Sequence, residues 1–222
     1  ESSMKGLLKK DMELLKINGR VFGIAVLVAL VYSLTGKMGA QFIMVYLTIM
    51  SAFLVLNTVS YDEAEKGMTF LMTLPVLRDT YVKEKYIFAA GLAFAGWLIS
   101  LILSAFSVLR MGGPESWGGW WSENLIYLAL SLFMISFMLP IQIKFGTESG
   151  RIILAVILLC IFLLILGAVS LMDSWKIGLE RAFKGLEDMG TGAWIFMGIL
   201  LTGVCWLLSC MISIGIMKKK EY

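Results

Sequence analysis

The sequence predicts an all-α membrane protein with six transmembrane helices, and three observations carry that expectation. Of 222 residues, 59% are hydrophobic and only 16% charged, and the mean hydropathy is +0.86, which no ordinary soluble domain approaches. The apolar residues are gathered into long runs without a single charge. The charges that do occur lie between the runs, and they are shared unequally between alternate connections.

Glu1–Ser3, ahead of Met4, reads as a remnant of cloning, and residues 4–222 read as one transmembrane domain. From Met4 to Asn18, apolar Met4, Leu7, Leu8, Met12 and Leu15 alternate with Lys5, Lys9, Lys10 and Lys16. That is the i, i+3, i+4 pattern of an amphipathic helix lying in the membrane interface. Six charge-free spans follow: Val21–Gly36, Gln41–Ser60, Ile87–Leu109, Leu125–Ile143, Ile152–Met172 and Ala193–Met217. At about 1.5 Å of rise per residue, a run of twenty or more crosses a hydrocarbon core of about 30 Å. The first run is short, so Arg20 and Lys37 are expected to reach outward to their interfaces.

Fourteen Lys and Arg fall in the N-terminal segment, residues 61–86, residues 144–151 and the tail, against five in the other connections. The positive-inside rule therefore places both termini and residues 61–86 in the cytoplasm. On the outer side, residues 37–40 form a tight turn. Trp117, Trp120 and Trp121 fit an aromatic belt, and Trp175, Leu179, Ala182, Phe183, Leu186 and Met189 fall at the spacing of a short helix dipped in lipid.

The absence of His removes His-based acid–base and metal chemistry. Cys160, Cys205 and Cys210 lie within spans and read as small buried hydrophobes rather than a disulfide or metal set. No ionisable residue lies inside a span, which argues against a proton-coupled carrier. Sodium coupling through backbone carbonyls stays open. No intramembrane protease motif is present, and Thr35-Gly36-Lys37-Met38 lacks the rest of a nucleotide-binding loop. Ala89 with Ala93, Gly96 with Ser100 and Ser104, and Gly19 with Gly23 are spacings that allow close helix contact. Gln41, Asn57, Ser60, Pro140 and Gln142, near span ends, suit interhelical hydrogen bonds and a kink, or the lining of a path.

The longest polar interruption is Tyr61–Tyr86, with nine charged side chains and Pro75. Within it Met68, Phe70, Leu71, Met72 and Leu74 form an apolar stretch too short to span, which must bury itself in the interface or in a partner protein. Pro75 stops it, and Asp79 or Thr80 is the expected cap of the helix entering the third span.

Acidic residues after the second span, Lys66-Gly67, Thr73-Leu74-Pro75-Val76, Arg78 and Tyr81-Val82-Lys83-Glu84-Lys85-Tyr86 leading into the third span resemble the signature of bacterial type-2 ABC exporter permeases. Within that group the chain resembles the permeases of phenol-soluble modulin exporters and related bacitracin- and lantibiotic-type transporters. Leu77 departs from the pattern, which has Ser there. The resemblance implies a half-channel in the bacterial cell membrane, with a connecting helix, six spans, a coupling helix between spans two and three, and an outer helix between spans five and six. It implies a second permease subunit, identical or paralogous, and two separate ATPase subunits that bind ATP and Mg. This chain would itself hold no cofactor and be no enzyme. Asp62, Glu63, Glu65, Lys66, Met68, Phe70, Leu74, Pro75 and Arg78 would touch the ATPase. The cargo expected is an amphipathic, membrane-active peptide moved outward. A small antimicrobial or lipid, or a carrier or scaffold outside the ABC class, is the alternative.

Overall fold

The computed structural model describes residues 2–35, 39–63, 77–114, 116–146, 156 and 191–220. Among these the chain is helical apart from short connections: α1 Ser2–Thr35, α2 Ala40–Glu63, α3 Arg78–Arg110, α4 Trp117–Gly146 and α5 Thr191–Lys219. Four of these, α2 to α5, are long and apolar enough to cross a membrane, and α1 makes a fifth if its bent halves count as one span. Val156 is helical. The rest of the expected fifth span, the outer helix at 173–190, and residues 64–76 lie outside the described residues.

The amphipathic helix and the first span form one helix, bent by 59° between Met4–Ile17 and Gly19–Thr35. A glycine beside the break is a usual cause of such a bend. Where α3 ends, Gly112 and Gly113 take φ of 108° and 91°, conformations that side-chain-bearing residues rarely adopt. The next helix opens at Ser116, whose hydroxyl accepts from the Gly119 backbone N–H at 3.1 Å and so acts as a cap. Because of that cap, α4 starts eight residues before the charge-free run, and the three tryptophans are helical. Trp120 lies edge-on to Trp117 and Trp121, with ring centroids 6.0 and 5.1 Å away.

The cap expected at Asp79 or Thr80 is not the one formed. Leu77 occupies the cap position with no side-chain hydrogen bond. Asp79 instead sits in the first turn of α3, where a carboxylate favours the helix dipole, and it pairs with Lys218.

Small residues bring α2 and α3 together. A Cβ on Gly96 would lie 2.5 Å from the Ser51 Cβ, so only glycine permits that approach. Ala89, Ala93, Ser100 and Ser104 continue the buried stripe on α3. At Gly19 and Gly23, whose spacing would also allow close contact, a Cβ would meet nothing within 4 Å among the described residues. One apolar core joins all five helices, from Leu7 of α1 through Val55 and Val59, Val82 and Tyr86, Leu139 and Ile143, to Met217 of α5. A smaller one, Ala25, Ala29, Ile43 and Leu47, joins α1 and α2 nearer the opposite end.

Candidate functional site

The 33 residues of α3 extend about 50 Å at 1.5 Å each, well beyond a hydrocarbon core of about 30 Å. Its charge-free part is Ile87–Leu109, so the turns from Arg78 to Tyr86 project past that core. They meet the start of α1 and the end of α2, and there the chain gathers its buried charge.

Tyr81 and Lys85 are one helical turn apart and share a face. The Lys85 ammonium, fully buried, pairs with Asp62 of α2 at 2.7 Å and with Asp11 of α1. Lys10 of α1 pairs with Asp62 as well, and reaches Asp11 at 3.4 Å. The Tyr81 hydroxyl donates to Asp62 at 3.0 Å. Three helices are thus joined through two carboxylates and two ammoniums at the point where α2 leaves toward residue 64 and α3 returns from residue 77. Taking such ions out of water costs several kcal/mol each, which mutual pairing offsets. Breaking one pair would leave the others uncompensated. Glu84, beside them, is fully buried, and among the described residues neither of its carboxylate oxygens has a hydrogen-bond partner.

The start of α3 is fastened separately. The Arg78 guanidinium donates to the carbonyls of Met217, Lys218 and Lys220 at 3.3, 3.0 and 2.8 Å. A cation at the open C-terminal carbonyls of a helix satisfies groups that otherwise lack partners and complements the helix dipole. Lys218 of α5 pairs with Asp79 at 2.9 Å, and Lys220 donates to the Ile143 carbonyl of α4 at 2.8 Å. Deeper in, the Tyr86 hydroxyl bonds Ser213 at 2.9 Å and also Ser209. Gln142 of α4 donates to the Leu56 carbonyl at 2.8 Å and to Ser60 at 2.9 Å. Gln142 and Ser60 therefore make the interhelical bond their positions suggest.

Of the residues expected to meet an ATPase, Asp62 is buried against the chain's own lysines, Glu63 ends α2, and Arg78 caps α5. Glu65, Lys66, Met68, Phe70, Leu74 and Pro75 lie outside the described residues. Sequence reasoning missed Asp11, Tyr81, Glu84 and Lys85 as a cluster. One sign was available: Asp11 stands four residues after Leu7 and four before Leu15, on the apolar stripe, where a lone carboxylate needs a partner.

Between α3, α4 and α5 a groove of about 460 Å³ is lined by Ala90, Leu128, Leu132, Thr202, Gly203 and Trp206, among others. No group of three His, Cys, Asp or Glu that could hold a metal occurs among the described residues.

Long apolar helices with their charges confined to the ends and connections define a multi-pass membrane protein. More particularly, the chain belongs to the ABC-2 transporters: the family described as ABC-2 family transporter protein matches residues 6–218. No curated protein matches the chain, and no solved structure does.

Proposed function

We propose that the chain is the permease subunit of an ABC exporter, turning ATP hydrolysis by separate nucleotide-binding subunits into outward movement of amphipathic, membrane-active peptides. The observation that carries this reading is that the segment between α2 and α3 is anchored at both ends, to different helices. At one end Asp62 is tied to α1 and α3; at the other Arg78 is tied to the end of α5. A push on residues 64–76 would then move α1, α2 and α3 through one anchor and α5, with α4, through the other.

In this reading the ATPase docks on Glu65, Lys66, Met68, Phe70, Leu74 and Pro75, with Glu63 at the edge. The apolar members fill a cleft of the partner, and the charges set register. Asp62 and Arg78 transmit the motion rather than touch the ATPase. The orientation is the one the Lys and Arg distribution gives, with both termini in the cytoplasm of a bacterium. A second permease subunit, identical or paralogous, completes the path. The groove between α3, α4 and α5 supports the alternative cargo, a small antimicrobial or a lipid, because its 460 Å³ falls in the range of small-molecule pockets.

The test is purification together with a nucleotide-binding ATPase subunit of the same organism, followed by ATP hydrolysis with and without amphipathic peptide. The expected result is a stable complex whose hydrolysis responds to peptide. Hydrolysis indifferent to peptide would remove the cargo assignment, and failure to form a complex would remove the exporter. Phe70→Asp or Leu74→Asp is expected to weaken ATPase association while leaving membrane insertion intact, read by co-purification; unchanged association would remove the docking role.

A further inference from the structure

At the charged end of the bundle an open cleft of about 490 Å³ lies between α4 and α5, lined by Lys144, Ile212, Gly215, Ile216, Lys219 and Lys220. Its two parts differ in chemistry. Ile212, Gly215 and Ile216 make an apolar floor, open at Gly215, where a Cβ would meet nothing within 4 Å. Three lysines stand around it, and among the described residues no acidic side chain lines it. Along α5, Ile212 and Lys219 are two turns apart, or about 10 Å. That places the floor at the depth where acyl chains begin and the lysines at the level of headgroup phosphates. Lys218, the neighbouring cation, is already paired with Asp79, and Lys220 donates to the Ile143 carbonyl. Lys144 and Lys219 are both exposed.

We propose that this cleft binds one anionic phospholipid from the leaflet at the charged end, its phosphodiester between Lys144 and Lys219 and its glycerol and first methylenes over Ile212, Gly215 and Ile216. Basic pockets between transmembrane helices recognise lipid headgroups in this way. A zwitterionic lipid fits the same floor but brings its own ammonium toward the lysines. A free phosphate has nothing to cover the floor. The site adjoins the Arg78 anchor directly, because the carbonyls of Met217, Lys218 and Lys220 that Arg78 holds belong to the turn bearing Lys219. A bound lipid anion would therefore steady the end of α5. The inference needs only that α4 and α5 cross a membrane, so it stands or falls apart from the proposed cargo and ATPase.

The full chain would be placed in phosphatidylcholine nanodiscs with graded phosphatidylglycerol, and lipids retained after mild delipidation counted by native mass spectrometry. The parent chain is expected to keep about one phosphatidylglycerol in preference to phosphatidylcholine, with the preference falling roughly fivefold for each lysine removed. Lys144→Gln with Lys219→Gln should lose it, and Lys5→Gln with Lys9→Gln, exposed lysines of α1, should keep it. Ile212→Trp, which fills the floor and spares every lysine, should also lose it, so the proposal does not depend on one variant folding. No preference in the parent chain would overturn the site. Equal loss in the α1 variant would reduce it to diffuse surface attraction, and displacement by millimolar inorganic phosphate would reduce it to an ion site; either result overturns the proposal.

Discussion

At the charged end, α1, α2 and α3 meet through Lys10, Asp11, Asp62, Tyr81 and Lys85, most of them buried. Toward the other end the same helices meet through Ala25, Ala29, Ile43 and Leu47, with Ile99 and Leu103 packed against them. There the Ser33 hydroxyl donates to the Leu103 carbonyl at 3.0 Å and the Trp97 indole to the Asn124 carbonyl of α4 at 2.8 Å, while Arg110 to the Leu34 carbonyl at 2.6 Å and Gln41 to Glu123 of α4 at 3.2 Å are exposed contacts; none of these contacts is an ion pair. The two ends differ in what separation would cost. Within lipid, apolar surfaces gain little by leaving the acyl chains, so helix contacts of that kind are weak and can slide. Buried ions accept one geometry and lose several kcal/mol when pulled from it. Under the proposed function the charged end would move as a unit and the other end would part, the mechanical division that a transporter driven from one face would need.

The comparison can be broken most severely at Lys85. Lys85→Met leaves Asp11 and Asp62 buried with only Lys10 between them, and a loss of about 3–5 kcal/mol is expected, read as a large fall in melting temperature in detergent. Next comes Gly96→Val, which drives a branched side chain into Ser51. It should cost about 1–3 kcal/mol and force α2 from α3, which crosslinking between the two helices would detect. Glu84→Gln goes the other way. It keeps the shape while removing a buried carboxylate that has no hydrogen-bond partner among the described residues, and it should leave the protein equally stable or up to about 1–3 kcal/mol more so; a marked loss would show that the charge of Glu84 is needed by the neighbouring lysines. Smallest is Gln41→Ala at the opposite end, an exposed contact whose loss should shift stability by no more than about 0.5 kcal/mol. If Gln41→Ala matched Lys85→Met, the contrast between the ends would be gone.

Most of the helical layout was legible in the sequence, because charge-free runs of twenty residues admit few other readings. The small-residue stripe at Ala89, Ala93, Gly96, Ser100 and Ser104 was legible too, since its spacing fixes one face of α3. Which small residues meet a neighbour was not: Gly19 and Gly23 have the same spacing, yet among the described residues a Cβ at either would touch nothing within 4 Å. The starts of α3 and α4 were displaced because their caps depend on local geometry, Leu77 taking the cap position expected of Asp79 or Thr80 and Ser116 capping a turn that reads as loop. The ion cluster was hidden for a different reason. Asp11, Asp62 and Lys85 lie far apart in sequence, and although Asp11 on its apolar stripe needs a partner, Asp62 and Lys85 each look like an ordinary charge outside a span. Only the fold shows Asp62 and Arg78 as anchors turned into the bundle.

The most direct test of the account is a pair of distances. With Cys160, Cys205 and Cys210 replaced, spin labels at Lys9→Cys and Lys83→Cys would report the charged end, and labels at Leu34→Cys and Leu109→Cys the other; all four positions are exposed. Distances would be measured in the complex with the ATPase, with and without trapped ATP. The account predicts that the charged-end pair stays within the roughly 1–2 Å of a small helix shift while the other pair moves further. A charged end that opens while the other end holds would contradict it.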